Sequence, residues 1–252
     1  MAVLRLQRGI IYGPILSRRL GRSLGINLLS LDKKICTFNC IYCQYGYTDK
    51  SVSINNSNLY PPVTEILSAL EAFLKKPHSL DHITFSGNGE PTLHPQFLEI
   101  IRGTKMLRDR YKPGTLIAVL TNGSMVGEAK ILTALNLVDK PMMKLDAGDV
   151  TCFQKINDPI INMNFGSIIE GYQHINKCST QTIFFGGSKG NADLPSILKW
   201  IDLINVIKPF EVQIYTTERP VPDLDVTSLP HETLLNIANL AKEKTGLDVN
   251  VY

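Results

Sequence analysis

Short apolar runs alternate with stretches of helical periodicity along most of this 252-residue chain. Residues 25–31 (Gly-Ile-Asn-Leu-Leu-Ser-Leu) read as a first buried strand. Residues 61–76 follow with Ile66, Leu67, Leu70, Phe73 and Leu74 on one helical face and two prolines suited to a first turn. The same rhythm then predicts strands over 81–86, 115–120, 138–145, 180–187 and 211–215. It predicts helices over 95–110, 126–137, from about 165 to 177, over 194–207 and over 231–244, with a short edge strand over 247–251. Strands that alternate with helices of this length form a parallel sheet joined by right-handed crossovers, an α/β fold. Six such units fall short of a closed eight-stranded barrel. Residues 1–22 precede the pattern as a leader, with Tyr12-Gly13-Pro14 and Gly21 as turn punctuation.

Composition narrows the class. A hydrophobic fraction of 44% is enough for a large core. A net charge of +3 does not demand a nucleic-acid partner. The leader carries Arg5, Arg8, Arg18, Arg19 and Arg22, which form either a solvated basic edge or a clamp for a carboxylate or phosphate. No apolar run has the length of a signal peptide or membrane span. Five cysteines with three clustered read as a metal site in a reducing compartment, so a cytoplasmic protein without a membrane partner is expected. Cys152 and Cys178 stand apart and read as small buried hydrophobes.

The clustered three are Cys36, Cys40 and Cys43, spaced C-x3-C-x2-C just beyond the first strand. Three thiolates are one short of the set that fills an ordinary iron–sulfur cluster, which leaves one iron open to a small molecule. A zinc site with a distant fourth ligand, or three unrelated thiols, fits the spacing as well. A second motif, Gly87-Asn88-Gly89-Glu90-Pro91, ends the next strand. By itself it is a turn; glycines there also let backbone carbonyls approach a ligand, and Glu90 adds acceptors that suit an ammonium. Thr121-Asn122-Gly123-Ser124 closes the third strand and places Asn122 and Ser124 on the same rim. Lys144 and Asp146 alternate with Leu145 and share one face, as ligand contacts or as a local ion pair. Tyr215 ends the sixth strand.

C-x3-C-x2-C with an aromatic residue, Tyr42, before its last cysteine resembles the signature of the radical S-adenosylmethionine (radical SAM) superfamily. Gly87–Pro91 resembles that superfamily's Gly-Gly-Glu-Pro segment with Asn88 between the glycines. The stretch from Tyr12 to Gly25 looks like the opening of a subgroup similar to the wyosine-synthesis enzymes of tRNA. No cysteine precedes Cys36 to hold the second cluster that the archaeal enzymes of that pathway use. The resemblance implies a partial (β/α)6 TIM-like barrel with a short N-terminal extension. It implies one domain over 1–252, with the core over 23–216 and a closing segment over 217–252. It implies a 4Fe-4S cluster on Cys36, Cys40 and Cys43, and S-adenosylmethionine held by Tyr42, Gly87, Asn88, Gly89, Glu90, Asn122, Ser124, Lys144, Asp146 and Tyr215. The implied reaction is reductive cleavage to methionine and a 5′-deoxyadenosyl radical, which abstracts hydrogen from a substrate. A flavodoxin or ferredoxin is the implied electron donor, and no stable protein partner is expected. A nucleoside, RNA base or small anionic substrate is favoured by the arginines. A peptide-modifying enzyme (a glycyl-radical activase included) and a non-catalytic S-adenosylmethionine-binding module are the alternatives.

Overall fold

The computed structural model describes residues 4–51 and 53–252, so the first three residues of the leader lie outside the described residues. One eight-stranded sheet runs in strict chain order, and the chain enters it by a hairpin. Strand β1 (Ile11–Ser17) pairs antiparallel with β2 (Gly21–Ile26). From there β3 (His82–Phe85), β4 (Leu116–Thr121), β5 (Lys140–Lys144), β6 (Ser179–Ile183), β7 (Glu211–Tyr215) and β8 (Val249–Val251) each lie parallel to the strand before. Every parallel step is spanned by helix: α1 (Val63–Leu74), α2 (Phe97–Tyr111), α3 (Ala129–Leu137), the pair α4 (Val150–Asn157) and α5 (Phe165–Gln173), α6 (Leu194–Ile207) and α7 (His231–Thr245). Strands β2 to β7 with their helices are the six expected β/α units. The sheet ends on β1 and β8 instead of closing, which makes it a partial barrel.

Alternation along the strands separates two apolar regions. Ile117 and Val119 of β4 join the large core beneath the helices, with Val63, Ile66, Leu70 and Leu74 of α1 and Ile197, Trp200, Ile201 and Ile204 of α6. Ala118, between them, belongs to a small separate cluster with Met142 and Leu20, and Leu120 packs against it. Leu20 comes from the β1–β2 turn, so the hairpin tip covers the face of the sheet that the helices do not.

Three expectations need correction. Residues 11–17 of the leader are a strand, not turn punctuation. Their side chains are largely exposed and the ladder is irregular between Tyr12 and Ile15, where Pro14 is tolerated on an edge strand. The first parallel strand spans Gly21–Ile26, four residues before the expected start. Leu29 instead packs with Ile35, Leu59 and Leu93 under the cysteine loop. Helix α4 was not expected at all. It is short, with Cys152, Phe153 and Ile156 as its buried apolar residues, and Asp149 starts it by accepting a hydrogen bond from the Cys152 amide at 2.7 Å. Cys178 is buried, as is Cys152. Among the described residues no helix is long and apolar enough to cross a membrane.

Candidate iron–sulfur and cofactor site

The cysteine loop leaves the C-terminal end of β2, where loops of an α/β sheet build sites. Two segments clamp it. On one side Ile35 lies beside Gly89: the Ile35 amide donates to the Asn88 carbonyl at 2.9 Å, and the Glu90 amide to the Ile35 carbonyl at 2.9 Å. Contact this close needs glycine, because a Cβ on Gly89 would overlap the Ile35 carbonyl oxygen, and Gly89 sits at φ +142°. On the other side the end of α4 holds the arc of the loop. The Ile41 amide bonds the Ile156 carbonyl, the Asn39 amide the Asn157 carbonyl, both at 3.0 Å, and the Ile160 amide the Thr37 carbonyl at 2.9 Å.

Hydrogen-bond donors face the sulfurs. Cys36 Sγ receives the Phe38 amide at 3.5 Å and Asn122 Nδ2 at 3.6 Å. Cys40 Sγ receives Asn157 Nδ2 at 3.4 Å. Lys34 is 7% exposed and donates to the Gly46 carbonyl at 2.7 Å, yet among the described residues no carboxylate pairs with it. Burial pushes the Lys34 ammonium down, but Cys43, Cys36 and Cys40 in their ionised form, the form that binds metal, together outweigh that and lift it above the usual lysine value. Burial pushes the Cys36 thiol up to about 12 and the Cys40 thiol up to about 11. Bare thiols so placed stay protonated at neutral pH, and a metal must displace their protons. A net-negative cluster on three thiolates supplies the anion that buried Lys34 lacks, and the donor set fits it. Among the described residues no three cysteine, histidine or carboxylate groups converge on a single ion. The ligands of a cubane each hold a different iron and need not converge on one ion.

The remaining candidates fall into two groups. Asn122 and Ser124 brace the loop through Thr37, whose Oγ1 donates to Ser124 Oγ at 2.7 Å and accepts from Asn122 Nδ2 at 2.9 Å. Glu90 is fully occupied by protein: it accepts from the amide and hydroxyl of Thr92 (3.0 and 2.6 Å), from Thr121 Oγ1 (2.7 Å) and from the Asn122 amide (2.6 Å). The Asn88 side chain turns towards the leader, accepting from the Gln7 amide at 2.7 Å and donating to the Gln7 and Ser30 carbonyls. Among the described residues the Gly87 and Gly89 carbonyls accept no hydrogen bond.

Lys144, Asp146, Tyr42 and Tyr215 form the second group and bind one another. Lys144 Nζ lies 2.8 Å from both Asp146 Oδ1 and Tyr215 Oη. The Tyr42 hydroxyl donates to Asp146 Oδ2, which Asn157 Nδ2 also reaches at 3.1 Å, and the Ile183 amide donates to Oδ1 at 3.0 Å. Burial pushes the Lys144 ammonium down, and Asp146 and Tyr215 reverse this and raise it. Arg19 from the hairpin tip stacks over Tyr215, 4.4 Å from the ring centroid, and its Nη1 is buried with no hydrogen-bond partner among the described residues. Asn157, Thr37, Lys34 and Arg19 were not singled out for these contacts by sequence reasoning. Only the twin Arg18-Arg19 beside Gly21 gave any signal.

A family model described as the radical SAM superfamily matches residues 33–201, which include both motifs. The chain belongs to the radical SAM superfamily. Among curated relatives it is 35% identical to a UPF0026 protein of Synechocystis over 217 residues, 84% of this chain and 77% of that protein. A radical SAM methyltransferase from Sphaerobacter thermophilus has a TM-score of 0.64 at 14% identity, over 91% of this chain and 65% of its own. TYW1, solved with a lysine–pyruvate adduct, has a TM-score of 0.61 at 19% identity, over 89% and 74%. At those identities the two structures share the fold alone. Superfamily membership implies an enzyme that uses S-adenosylmethionine with an iron–sulfur cluster and draws electrons from a reductant.

Proposed function

We propose that Cys36, Cys40 and Cys43 hold a 4Fe-4S cluster and that this chain uses it to cleave S-adenosylmethionine and act on a small anionic substrate. The observation that carries the reading is the triple-cysteine loop itself, clamped at the mouth of a partial barrel and faced by N–H donors, with the buried Lys34 ammonium in the same loop. When bound, the cluster supplies the electron that splits the sulfonium and releases a 5′-deoxyadenosyl radical for hydrogen abstraction. The chain's own work is placement and shielding. The Gly87 and Gly89 carbonyls, which accept no hydrogen bond among the described residues, take the α-ammonium of S-adenosylmethionine. The Tyr42, Lys144, Asp146 and Tyr215 shelf, reached through the Asn122 and Ser124 rim, faces the rest of the nucleoside. Asp146 keeps Lys144 protonated, which makes it an electrostatic partner and not an amine nucleophile. Arg19, with an unpartnered buried nitrogen over Tyr215, supports a substrate that carries a carboxylate or phosphate. A flavodoxin or ferredoxin delivers the electron.

The test is anaerobic reconstitution followed by iron and sulfide analysis and by assay of 5′-deoxyadenosine after addition of dithionite and S-adenosylmethionine. About four irons per chain and release of the nucleoside are expected, both lost in Cys40→Ala. Nucleoside release that survives Cys40→Ala would overturn the assignment of the site.

A further inference from the structure

We infer that Asn122 and Asn157, facing the sulfurs of Cys36 and Cys40, act together with the buried Lys34 ammonium of the cysteine loop as a set of outer groups that raises the reduction potential of the cluster. The inference rests on the cubane reading above. Its basis is a distribution that chance packing does not favour. Cys36 faces Asn122 at 3.6 Å, Cys40 faces Asn157 at 3.4 Å, and the Lys34 ammonium is buried in the same loop on the Gly46 carbonyl at 2.7 Å. The three donors come from three different places: the end of β4, the last residue of α4, and the cysteine loop.

Each donor is held by a second contact, so none is a loose side chain that happens to lie nearby. Asn122 Oδ1 accepts the Ser124 amide at 2.9 Å while its Nδ2 also reaches Thr37. Asn157 Nδ2 is shared with the Tyr42 hydroxyl at 3.0 Å and Asp146 at 3.1 Å. Lys34 is tied to the Gly46 carbonyl at 2.7 Å. Donors fixed in this way do not reorganise when charge arrives.

The direction of the effect follows from charge. Reduction adds one electron to the cluster, with no bond made or broken and no proton moved, and the electron comes from the external donor. Negative charge grows on iron and on the sulfurs bonded to it. N–H groups aimed at those sulfurs and a cation buried in the same loop therefore stabilise the reduced form more than the oxidised form, and the potential rises. A buried full charge acts more strongly than an amide dipole. Lys34 is the largest contributor of the three, and Asn122 and Asn157 are smaller and of similar size.

The experiment is an EPR-monitored redox titration of the reconstituted full chain without S-adenosylmethionine or substrate. Wild type is compared with Lys34→Met, Lys34→Arg, Asn122→Leu and Asn157→Leu at equal iron content. Lys34→Met is expected to lower the midpoint most, Lys34→Arg to restore most of that loss, and each asparagine variant to lower it by less. A purely structural role would change cluster loading and leave the midpoint of the loaded fraction where it was. Where a variant takes up no cluster, wild-type protein labelled with ¹⁵N at the asparagine side-chain amide is examined by pulsed EPR. Coupling of that nitrogen to the reduced cluster is expected, and its absence overturns the donor assignment. An unchanged midpoint in all loaded variants overturns this inference alone, whereas wild-type protein that binds no cubane overturns the reading of the site as well.

Discussion

Gly89→Ala tests the clamp between the two motifs. The added Cβ would stand 2.5 Å from the Ile35 carbonyl carbon and 3.0 Å from the Ile35 nitrogen, and it would overlap the carbonyl oxygen. All three are backbone atoms of the residue before Cys36, so no flexible side chain can give way. The backbone at φ +142° is itself unfavourable for alanine, at roughly 1–3 kcal/mol. Relief requires the loop to move. That breaks the two 2.9 Å hydrogen bonds joining Ile35 to Asn88 and Glu90, at about 0.5–1.5 kcal/mol each. The total is about 2–6 kcal/mol, a large share of the roughly 5–15 kcal/mol that holds a typical protein folded. Urea unfolding followed by circular dichroism and by fluorescence of the buried Trp200 measures it, with visible absorption of the reconstituted protein reporting cluster loading. Gly114→Ala is the control: nothing lies within 4 Å of its would-be Cβ, and a gain of about 0.4–1 kcal/mol is expected. A Gly89→Ala protein within about 0.5 kcal/mol of wild type, with a full cluster, would refute the reasoning.

Three further outcomes are expected elsewhere. Burial pushes the Asp139 carboxyl up, but the Ile117 amide at 2.8 Å and the Arg108 guanidinium at 2.9 Å outweigh it and hold it below the usual range. A carboxyl held low stabilises the fold above its unfolded value of about 3.9 and loses that contribution as pH falls through the folded value. Asp139→Asn should therefore cost about 1–3 kcal/mol at neutral pH, a difference that shrinks in acid below about pH 4, as read from urea midpoints across a pH series. Arg18→Ala removes a bidentate pair with Glu218 whose side chains are 59% and 56% exposed; at most about 1 kcal/mol should be lost, and a larger drop in thermal midpoint would mean the hairpin tip depends on it. Tyr172→Phe keeps the ring against Gly123 but removes a hydroxyl that donates to the Lys144 carbonyl at 2.7 Å, so equilibrium unfolding should show a loss of about 1 kcal/mol.

The elements that could be read from the chain are those whose burial is one-sided and whose ends are punctuated. Helix α6 begins where Asp193 accepts the Ser196 amide and ends on Lys208 in a left-handed turn, and its apolar stripe continues across the whole span. Strand β7 carries an apolar–polar alternation between Pro209 and Thr216. Strand β1 offered no such signal, because its exposed edge position leaves its side chains without a required pattern. Helix α4 is eight residues long with polar Thr151, Gln154 and Lys155 interleaved, too short for periodicity to rise above chance.

The site divides along a different line, between what chain spacing enforces and what only folding brings together. Cys36, Cys40 and Cys43 lie within one eight-residue stretch, so a compact loop there is enough to bring them together and their spacing carried the signal. Asn157 lies 117 residues from Cys40, and Asn122 lies 86 from Cys36, so no local pattern could have paired either with a sulfur. Lys144 and Asp146 show why even local spacing can be ambiguous. Alternate positions on a strand bring two side chains onto one face, and opposite charges there satisfy each other as readily as they bind a ligand. What separates the outcomes is the supply of further partners. Asp146 already accepts from Tyr42, Asn157 and the Ile183 amide, whereas Arg19, stacked over the neighbouring Tyr215, retains a buried nitrogen with nothing to donate to among the described residues. The unmet hydrogen bond, and not the satisfied ion pair, is therefore the more informative sign of where an anionic substrate would be held.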